Sequence, residues 1–571
     1  MKHMFSRTIL LVACAALLSL TSAASGLRVP ASQKKVIHFG WVAPTQPDQL
    51  LNCDLKDLEE NCPFDGIGIR IDLKIKRDDK TIRFYASREV GSPNVLTKED
   101  FKDYIPAFRR LQQTRLKHNF LITNTALFNA DWFDNEGWQR TLSNYSTLAW
   151  AAKESQCDGL CIDIEAYPYT NQPFRFRPEL GHSFEETAAQ VRKRGKEWIE
   201  ELNRQFPNLT LFTFFWTSQC NSIFKAEHPE FQNYTTTGLQ IAFFNGVYDG
   251  APDTMKIVDG NEGAGYHAAT DADYTRIVAN YYLYGNAWID EKNHDKFRKI
   301  TSMGIALYLD SYVPRENAGG WNLFARTDNP TNMLAQNITN CLNYSDEYVW
   351  VWCEKGNFWP KICKSQFKPW NENLPHCIEA IEAGKNMNAA MRKYTNKSKN
   401  MLKNSTLEIG ESGAPQGPGQ TNSGIKNWSS WQSTHTPTGT ITPENGMVRL
   451  INVTNGCITQ STTEINAGKQ YVITARSKNE GLFGNPSLAY FFRDSKGRGL
   501  WSLQTSTSFN EDLGDGWKRA TAFLTVPPGL DIASLTVSAC VTGSQDPKGG
   551  DKGILFDDIE LYPVEFPWMK Q

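Results

Sequence analysis

The chain has 571 residues, too many for one core, so two or three domains are expected. Its 60 Lys and Arg nearly balance 62 Asp and Glu, a formal net charge of −2, which argues against a dedicated nucleic-acid binder or a polybasic membrane protein. Aromatics make up 12%, with 17 Trp, a supply suited to large cores and to stacking on flat ligands.

The N-terminus has the pattern of a secretory signal. Lys2, His3 and Arg7 precede an apolar run over 8–20, and small residues from Thr21 to Ser25 offer cleavage near Ala23. The run is too short to span a bilayer, and no other segment reaches that length. The mature chain, from residue 26, is therefore expected to be a secreted or periplasmic monomer without a transmembrane segment. Cys14, at the end of Leu11-Val12-Ala13-Cys14, offers lipid anchoring as the alternative. In an oxidising compartment Cys53 with Cys62, Cys363 with Cys377 and Cys457 with Cys540 are candidate pairs. No Cys/His spacing resembles a zinc site. Asn-x-Ser/Thr triplets stand at Asn144, Asn208, Asn337 and Asn452.

From 36 to 355 apolar strands alternate with amphipathic segments. Strands are expected over 36–42, 64–73, 120–127, 159–167, 209–216, 255–259, 304–312 and 348–354. Helical patterns lie between them, at 98–113, 143–155, 184–206 and 271–297, and 374–391 closes the series. The stretch 239–248 fits either period, and it is read as a helix because parallel strands need a crossover. Eight strand–helix repeats predict an α/β fold, a (β/α)8 barrel over 26–394. No Gly-rich nucleotide loop follows the first strand, which disfavours the open doubly wound sheet. Over 395–425 Lys, Asn, Ser, Gly and Pro dominate, as in a linker leading into the next unit. Beyond 426 short strands come close together, at 447–453, 470–477, 487–493, 517–526, 534–541 and 554–562, which predicts an all-β sandwich.

The fourth strand, Gly159-Leu160-Cys161-Ile162-Asp163-Ile164-Glu165, ends in two carboxylates. Residues two apart share a strand face, so Asp163 and Glu165 point one way and Leu160, Ile162 and Ile164 the other. Paired acids on a buried strand are costly unless they have partners or work to do, and such a pair raises the pKa of one member. Barrel active sites sit at the C-terminal strand ends. Read off the assignment, that rim holds Arg70 and Asp72, Asn124, Asp131-Trp132, Asp163, Glu165 and Tyr167, Trp216, Thr217 and Gln219, Asp259 and Glu262, Asp310, and Trp352 with Glu354. Carboxylates, Trp and amides without a metal cluster or any sign of a catalytic cofactor describe a site that cleaves sugars. Glu165 is expected to be the general acid, with Glu354 or Glu262 as nucleophile or water-activating base. Tyr167, Trp216, Asp310, Trp352 and Arg70 are the expected substrate contacts, and the substrate class is a polysaccharide or glycan.

Asp158-Gly159-Leu160-Cys161-Ile162-Asp163-Ile164-Glu165 resembles the fourth-strand signature D-G-x-D-x-D-x-E of glycoside hydrolase family 18. The resemblance implies that Glu165 protonates the glycosidic oxygen, Asp163 orients a nucleophilic acetamido group of the substrate, and Trp352 floors the sugar site. Cys161 stands where that family has another Asp, and further rim glutamates exist. The two-carboxylate hydrolase is therefore ranked first and the acetamido-assisted reaction of a chitinase or endo-β-N-acetylglucosaminidase second. A glycan-binding scaffold without catalysis is third. In the C-terminal domain, Leu402-Lys403-Asn404-Ser405-Thr406-Leu407-Glu408 and Ile554-Leu555-Phe556-Asp557-Asp558-Ile559-Glu560-Leu561 are similar to the opening and closing motifs of jelly-roll carbohydrate-binding modules of families 4 and 9. That likeness implies a structural calcium held with help from Glu408 and Asp558, whose oxygen ligands suit the ion. Trp428, Trp431, Tyr490, Trp501 and Trp517 are candidates for a stacking platform.

Overall fold

The computed structural model describes residues 28–569 apart from 78–79, 126–130, 166–171, 220–234, 315–322, 413–419, 435–438, 445, 481–483, 544–549 and 551. The leader segment, Cys14 and Tyr167 lie outside the described residues. The chain divides into two compact units between Asn386 and Met387. Among the described residues, no helix is long and apolar enough to cross a membrane.

The first unit is a nearly closed parallel ring. Its strands are β1 (Lys35–Gly40), β2 (Gly66–Arg70), β5 (Phe120–Asn124), β6 (Gly159–Asp163), β7 (Thr210–Thr213), β8 (Lys256–Asp259), β9 (Thr301–Met303), β10 (Ile305–Tyr308) and β11 (Tyr348–Cys353). They run in the order β10-β11-β1-β2-β5-β6-β7-β8-β9. The two ends of that list are halves of one stretch, interrupted at Gly304, whose N–H donates to Asp259 O (2.7 Å). Eight strands are thus delivered as nine segments, and the fold class expected from the sequence is the one found.

The strand runs are almost wholly apolar because both faces are covered. Ile37, Phe39, Phe120, Ile122, Cys161, Phe212, Phe214, Val258, Ala306, Tyr348 and Trp350 fill the ring. Leu121, Leu160, Ile162, Leu211, Ile257 and Val349 are fully buried on the opposite strand face, the side that the helices cover. Removal of one such side chain from water is worth about 1.5–3 kcal/mol. The ambiguous stretch is helical, Gln240–Gly250, and packs on the long helix Phe184–Gln205, which opens with a Ser183–Glu186 capping box. Two glycines set that contact. A Cβ at Gly195 would stand 2.4 Å from Phe243 O, and one at Gly246 1.9 Å from Arg192 O.

The second strand stops at Arg70, short of the expected 73. Asp72 instead opens an antiparallel hairpin, β3 (Asp72–Arg77) with β4 (Lys80–Tyr85), where it pairs with Arg83 (2.5 Å).

The second unit is a sandwich of two six-stranded antiparallel sheets. One has the order β12 (Gln420–Asn422), β13 (Ser429–Gln432), β16 (Asn455–Thr462), β22 (Ser534–Thr542), β18 (Asn485–Arg493), β19 (Thr505–Ser508). The other runs β14 (Thr440–Glu444), β15 (Met447–Ile451), β23 (Ile554–Pro563), β17 (Gln470–Asn479), β21 (Trp517–Thr525), β20 (Glu511–Gly514). All six expected strands are present. The stretch 395–425 already belongs to the unit, because Leu402, Leu407 and Ile425 lie in its core and Met401 N–H donates to Leu561 O (2.8 Å). What composition marked as linker is, where described, mostly sandwich.

Two glycosylation triplets are corrected by burial. Asn144 and Asn337 are fully enclosed; Asn144 donates to Val90 O and Asn94 O, and Asn337 to the Tyr312 hydroxyl. Neither can carry a glycan in the folded chain. The ten described cysteines hold free thiols. Cys457 and Cys540 are register partners across β16 and β22. Cys363 instead feels Cys53, and Cys353 feels Cys377, so proximity does not follow the other two sequence pairings.

Gly246→Ala is expected to force the two helices apart and cost about 1–3 kcal/mol, the range for overpacking a well-fitted contact. Chemical denaturation reads this as a lowered midpoint with an unchanged slope. An unchanged midpoint would show that the helices separate at no cost.

Candidate active site

Strand parity aims the fourth strand's acids at the mouth of the ring. Cys161 is buried inside, Ile162 and Ile164 are buried on the other face, and Asp163 and Glu165 are half-exposed at the strand end. Glu165 N–H donates to Asp163 Oδ1 (3.0 Å), so the first carboxylate braces the second residue's backbone.

Past β8 the backbone turns through Asn261, in the left-handed region at φ 48°, and Glu262 starts a short helical turn, Glu262–Gly265. The turn brings Glu262 within electrostatic reach of both fourth-strand acids. Its Oε1 accepts from the Tyr266 hydroxyl (2.7 Å), whereas Oε2 is buried without a hydrogen-bond partner among the described residues. Burial pushes the Glu262 carboxyl up to about 8; the Tyr266 hydrogen bond opposes this, and the charges of Glu165, Asp163 and Glu354 add to it. Glu262 therefore keeps a proton near neutral pH while surrounded by other acids.

Glu354 completes the group from β11. Its Oε1 accepts from Trp352 Nε1 (3.1 Å) and its Oε2 from the Tyr308 hydroxyl (3.0 Å). Both oxygens are thereby held by donors from the neighbouring strands β10 and β11. Tyr266 and Tyr308 lie side by side, ring centroids 5.4 Å apart. Trp352 meets the half-exposed Trp41 edge-on at 5.8 Å, and the Arg70 guanidinium covers Trp41 at 4.1 Å. The mouth thus combines four carboxylates with a wall of aromatic rings.

Three other rim acids or aromatics have structural work. Asp310 is buried and its oxygens accept from the N–H groups of Glu354 (2.8 Å) and Lys355 (3.1 Å), fixing the end of β11. Asp259, also buried, accepts from the N–H groups of Trp216, Ser218 and Asn261 and from the Ser218 hydroxyl (2.6 Å), tying the ends of β7 and β8. Trp216 is fully buried, its Nε1 bonded to the Tyr248 hydroxyl (2.9 Å) and its ring 4.0 Å from Phe244. It is a core residue, because the chain leaves strand geometry after Thr213 and turns the ring down between elements. Tyr266, Tyr308 and Trp41 went unremarked in the sequence. Tyr308 and Trp41 follow Ala306 and Phe39 by two residues, and Tyr266 follows Glu262 by four, so the strand and helix periods were the available signal.

In the sandwich, Glu408 is exposed and its carbonyl already accepts from Lys426 N–H and Asn404 Nδ2, both at 3.0 Å. Asp558 is ion-paired with Arg476 Nε (2.9 Å). Among the described residues no group of three or more His, Cys, Asp or Glu is arranged to hold a metal.

No family model and no curated protein matches the chain. Solved structures align weakly. A "putative alpha-L-fucosidase" from Bacteroides thetaiotaomicron aligns over 95% of this chain and 99% of its own at 10% identity and a TM-score of 0.32. A family 4 carbohydrate-binding module aligns over 28% of this chain and 99% of its own at 16% identity and a TM-score of 0.20. The enzymatically active domain of tailspike protein 4 of bacteriophage CBA120 aligns over 24% of this chain at 16% identity and a TM-score of 0.19, and the chain spans 20% of that protein's length.

Two substitutions should move the Glu262 proton in opposite directions. Glu165→Gln removes a neighbouring negative charge and should lower the Glu262 pKa from about 8. Tyr266→Phe removes the hydroxyl that stabilises the carboxylate and should raise it. Infrared titration of the protonated carboxyl band, assigned by its loss in Glu262→Gln, reads both shifts. Shifts of the same sign would contradict the charge arrangement.

Proposed function

We propose that the barrel hydrolyses O-glycosidic bonds of a polysaccharide or glycan outside the cytoplasm, with a pair of carboxylates. The observation that carries the reading is the buried Glu262, its pKa raised to about 8, beside the doubly hydrogen-bonded Glu354 and the fourth-strand acids. Glycoside hydrolysis needs one carboxyl to protonate the leaving oxygen and another to attack the anomeric carbon or activate water. Glu262 fills the first role, since its proton is retained near neutral pH and its Oε2 makes no internal hydrogen bond among the described residues. Glu354 or Glu165 fills the second. This moves the general acid from Glu165 to Glu262, because burial acts most strongly on the residue tucked behind the strand end. Trp41 and Trp352 offer faces for sugar rings, and Tyr266 and Tyr308 each hold one of the two glutamates by a hydrogen bond.

The acetamido-assisted reaction is the second reading, favoured by the Asp163–Glu165 spacing on β6. In it Glu165 is the acid, Asp163 orients the acetamido group, and only 2-acetamido sugars are cleaved. The sandwich is proposed to bind glycan through Trp501, which is 61% exposed and rests on Phe491 at 4.7 Å.

Product formation on a panel of plant, algal and animal glycans tests the reading. Glu262→Gln and Glu354→Gln should each lose at least ~10²-fold in kcat, the usual cost of removing a proton-transfer group. The wild-type kcat/KM should fall as pH rises through about 8, because Glu262 then ionises and has no proton to give. That basic limb should vanish in the residual activity of Glu262→Gln. Full activity in Glu262→Gln with loss in Glu165→Gln, confined to acetamido sugars, would favour the second reading. Glycan binding with no product from the wild type would leave only the scaffold.

A further inference from the structure

The outer face of the second sandwich sheet carries a groove of about 770 Å³, on the side opposite Trp501. That volume lies within the ~300–1,000 Å³ range of small-ligand sites. Its floor is made by residues of β17, β21 and β23 whose alternate neighbours, Ile473, Ala522 and Leu561, fill the sandwich core. Strand alternation therefore forces Thr474, Thr521, Glu560 and Tyr562 outward into the groove.

The lining is polar and its charges are unevenly matched. Arg519 pairs with Glu511 (3.1 Å), and Glu560 accepts from the Thr474 hydroxyl (3.2 Å). Arg392 and Lys397, on the wall, make no ion pair with any described carboxylate. The Arg392 guanidinium instead lies 5.0 Å over the Phe523 ring, which holds it at the groove without neutralising it. A ligand that fits must bring anionic groups to Arg392 and Lys397 and hydroxyl donors to Glu560 and the threonine oxygens. A phosphate or a polyanion without hydroxyl groups satisfies only the first demand. A neutral sugar satisfies only the second.

We propose that this groove binds a carboxylated polysaccharide, a chain of uronic acid residues, whose carboxylates meet Arg392 and Lys397 while its ring hydroxyls meet Glu560 and Thr474. The proposal rests on reading the second unit as a glycan-binding module, and it adds a second face and a ligand charge to that reading.

Affinity electrophoresis of the full chain as the Glu165→Gln/Glu262→Gln double variant, in gels containing polygalacturonate, carrageenan or neutral xylan, tests it. Binding is read without cleavage, so failure of the hydrolase reading shows separately, as absence of product from the wild type. Polygalacturonate should retard the protein, and Arg392→Ala/Lys397→Ala should weaken retardation at least tenfold. Lys403→Ala/Lys426→Ala, which removes the same charge from exposed positions outside the groove, should leave it unchanged. Unchanged melting of the groove variant excludes unfolding as the cause. Equal retardation of the groove variant, equal preference for carrageenan, or no retardation by polygalacturonate would each overturn the proposal.

Discussion

Four carboxylates share the mouth of one ring, and they cannot all be ionised at low cost. Two unit charges about 4 Å apart repel by about 4 kcal/mol at an effective dielectric of 20, and less as they separate. The system relieves that repulsion by leaving a proton on the acid that burial penalises most, Glu262. The aromatic shell sharpens the difference between its members. Tyr308 and Trp352 hand two donors to Glu354, whereas among the described residues Glu262 receives Tyr266 alone. One donor does not offset the burial that raises the Glu262 carboxyl.

Acids that brace and acids that face the mouth are told apart by the same accounting. Asp259 is buried beneath three N–H donors and a hydroxyl, and Asp310 beneath two N–H donors, so their charges are spent on the ends of β7, β8 and β11. These braces fix the backbone from which Glu262 and Glu354 project. The rim is therefore built in two tiers, with aspartates fixed by backbone donors below and glutamates facing the mouth above.

Much of the barrel was legible because its strands are buried on both faces, which writes each of them as an unbroken apolar run. The helix at Gln240–Gly250 was legible only through topology, since its periodicity fits either state. Polar pairing is harder to read. Asp72 looks like a strand-end acid until the hairpin partner Arg83 is placed beside it. Trp216 looks like a rim platform because a sequence does not tell where a strand ends within three residues. In the sandwich the missed strands include the four-residue Ser429–Gln432, Thr505–Ser508 and Glu511–Gly514, too short for alternation to register. The protonation of the rim acids is hidden for a related reason. Spacing shows which carboxylates share a face, but only three-dimensional burial shows which of them keeps its proton.

Cys161 connects these points. It occupies the inward position two residues before Asp163, among Phe120, Phe212 and Tyr348 in the ring interior. A carboxylate there would need donors that this apolar layer does not supply. Burial and the charges of Asp163 and Glu262 hold the Cys161 thiol well above its ordinary range, so it stays neutral and adds nothing to the repulsion above it. With no acid beneath Asp163 to share a proton, the fourth strand has no internal relay. The carboxyl that keeps a proton near neutral pH lies outside the strand: Glu262, buried and within reach of the charges of Asp163, Glu165 and Glu354, is raised by burial and by charge alike.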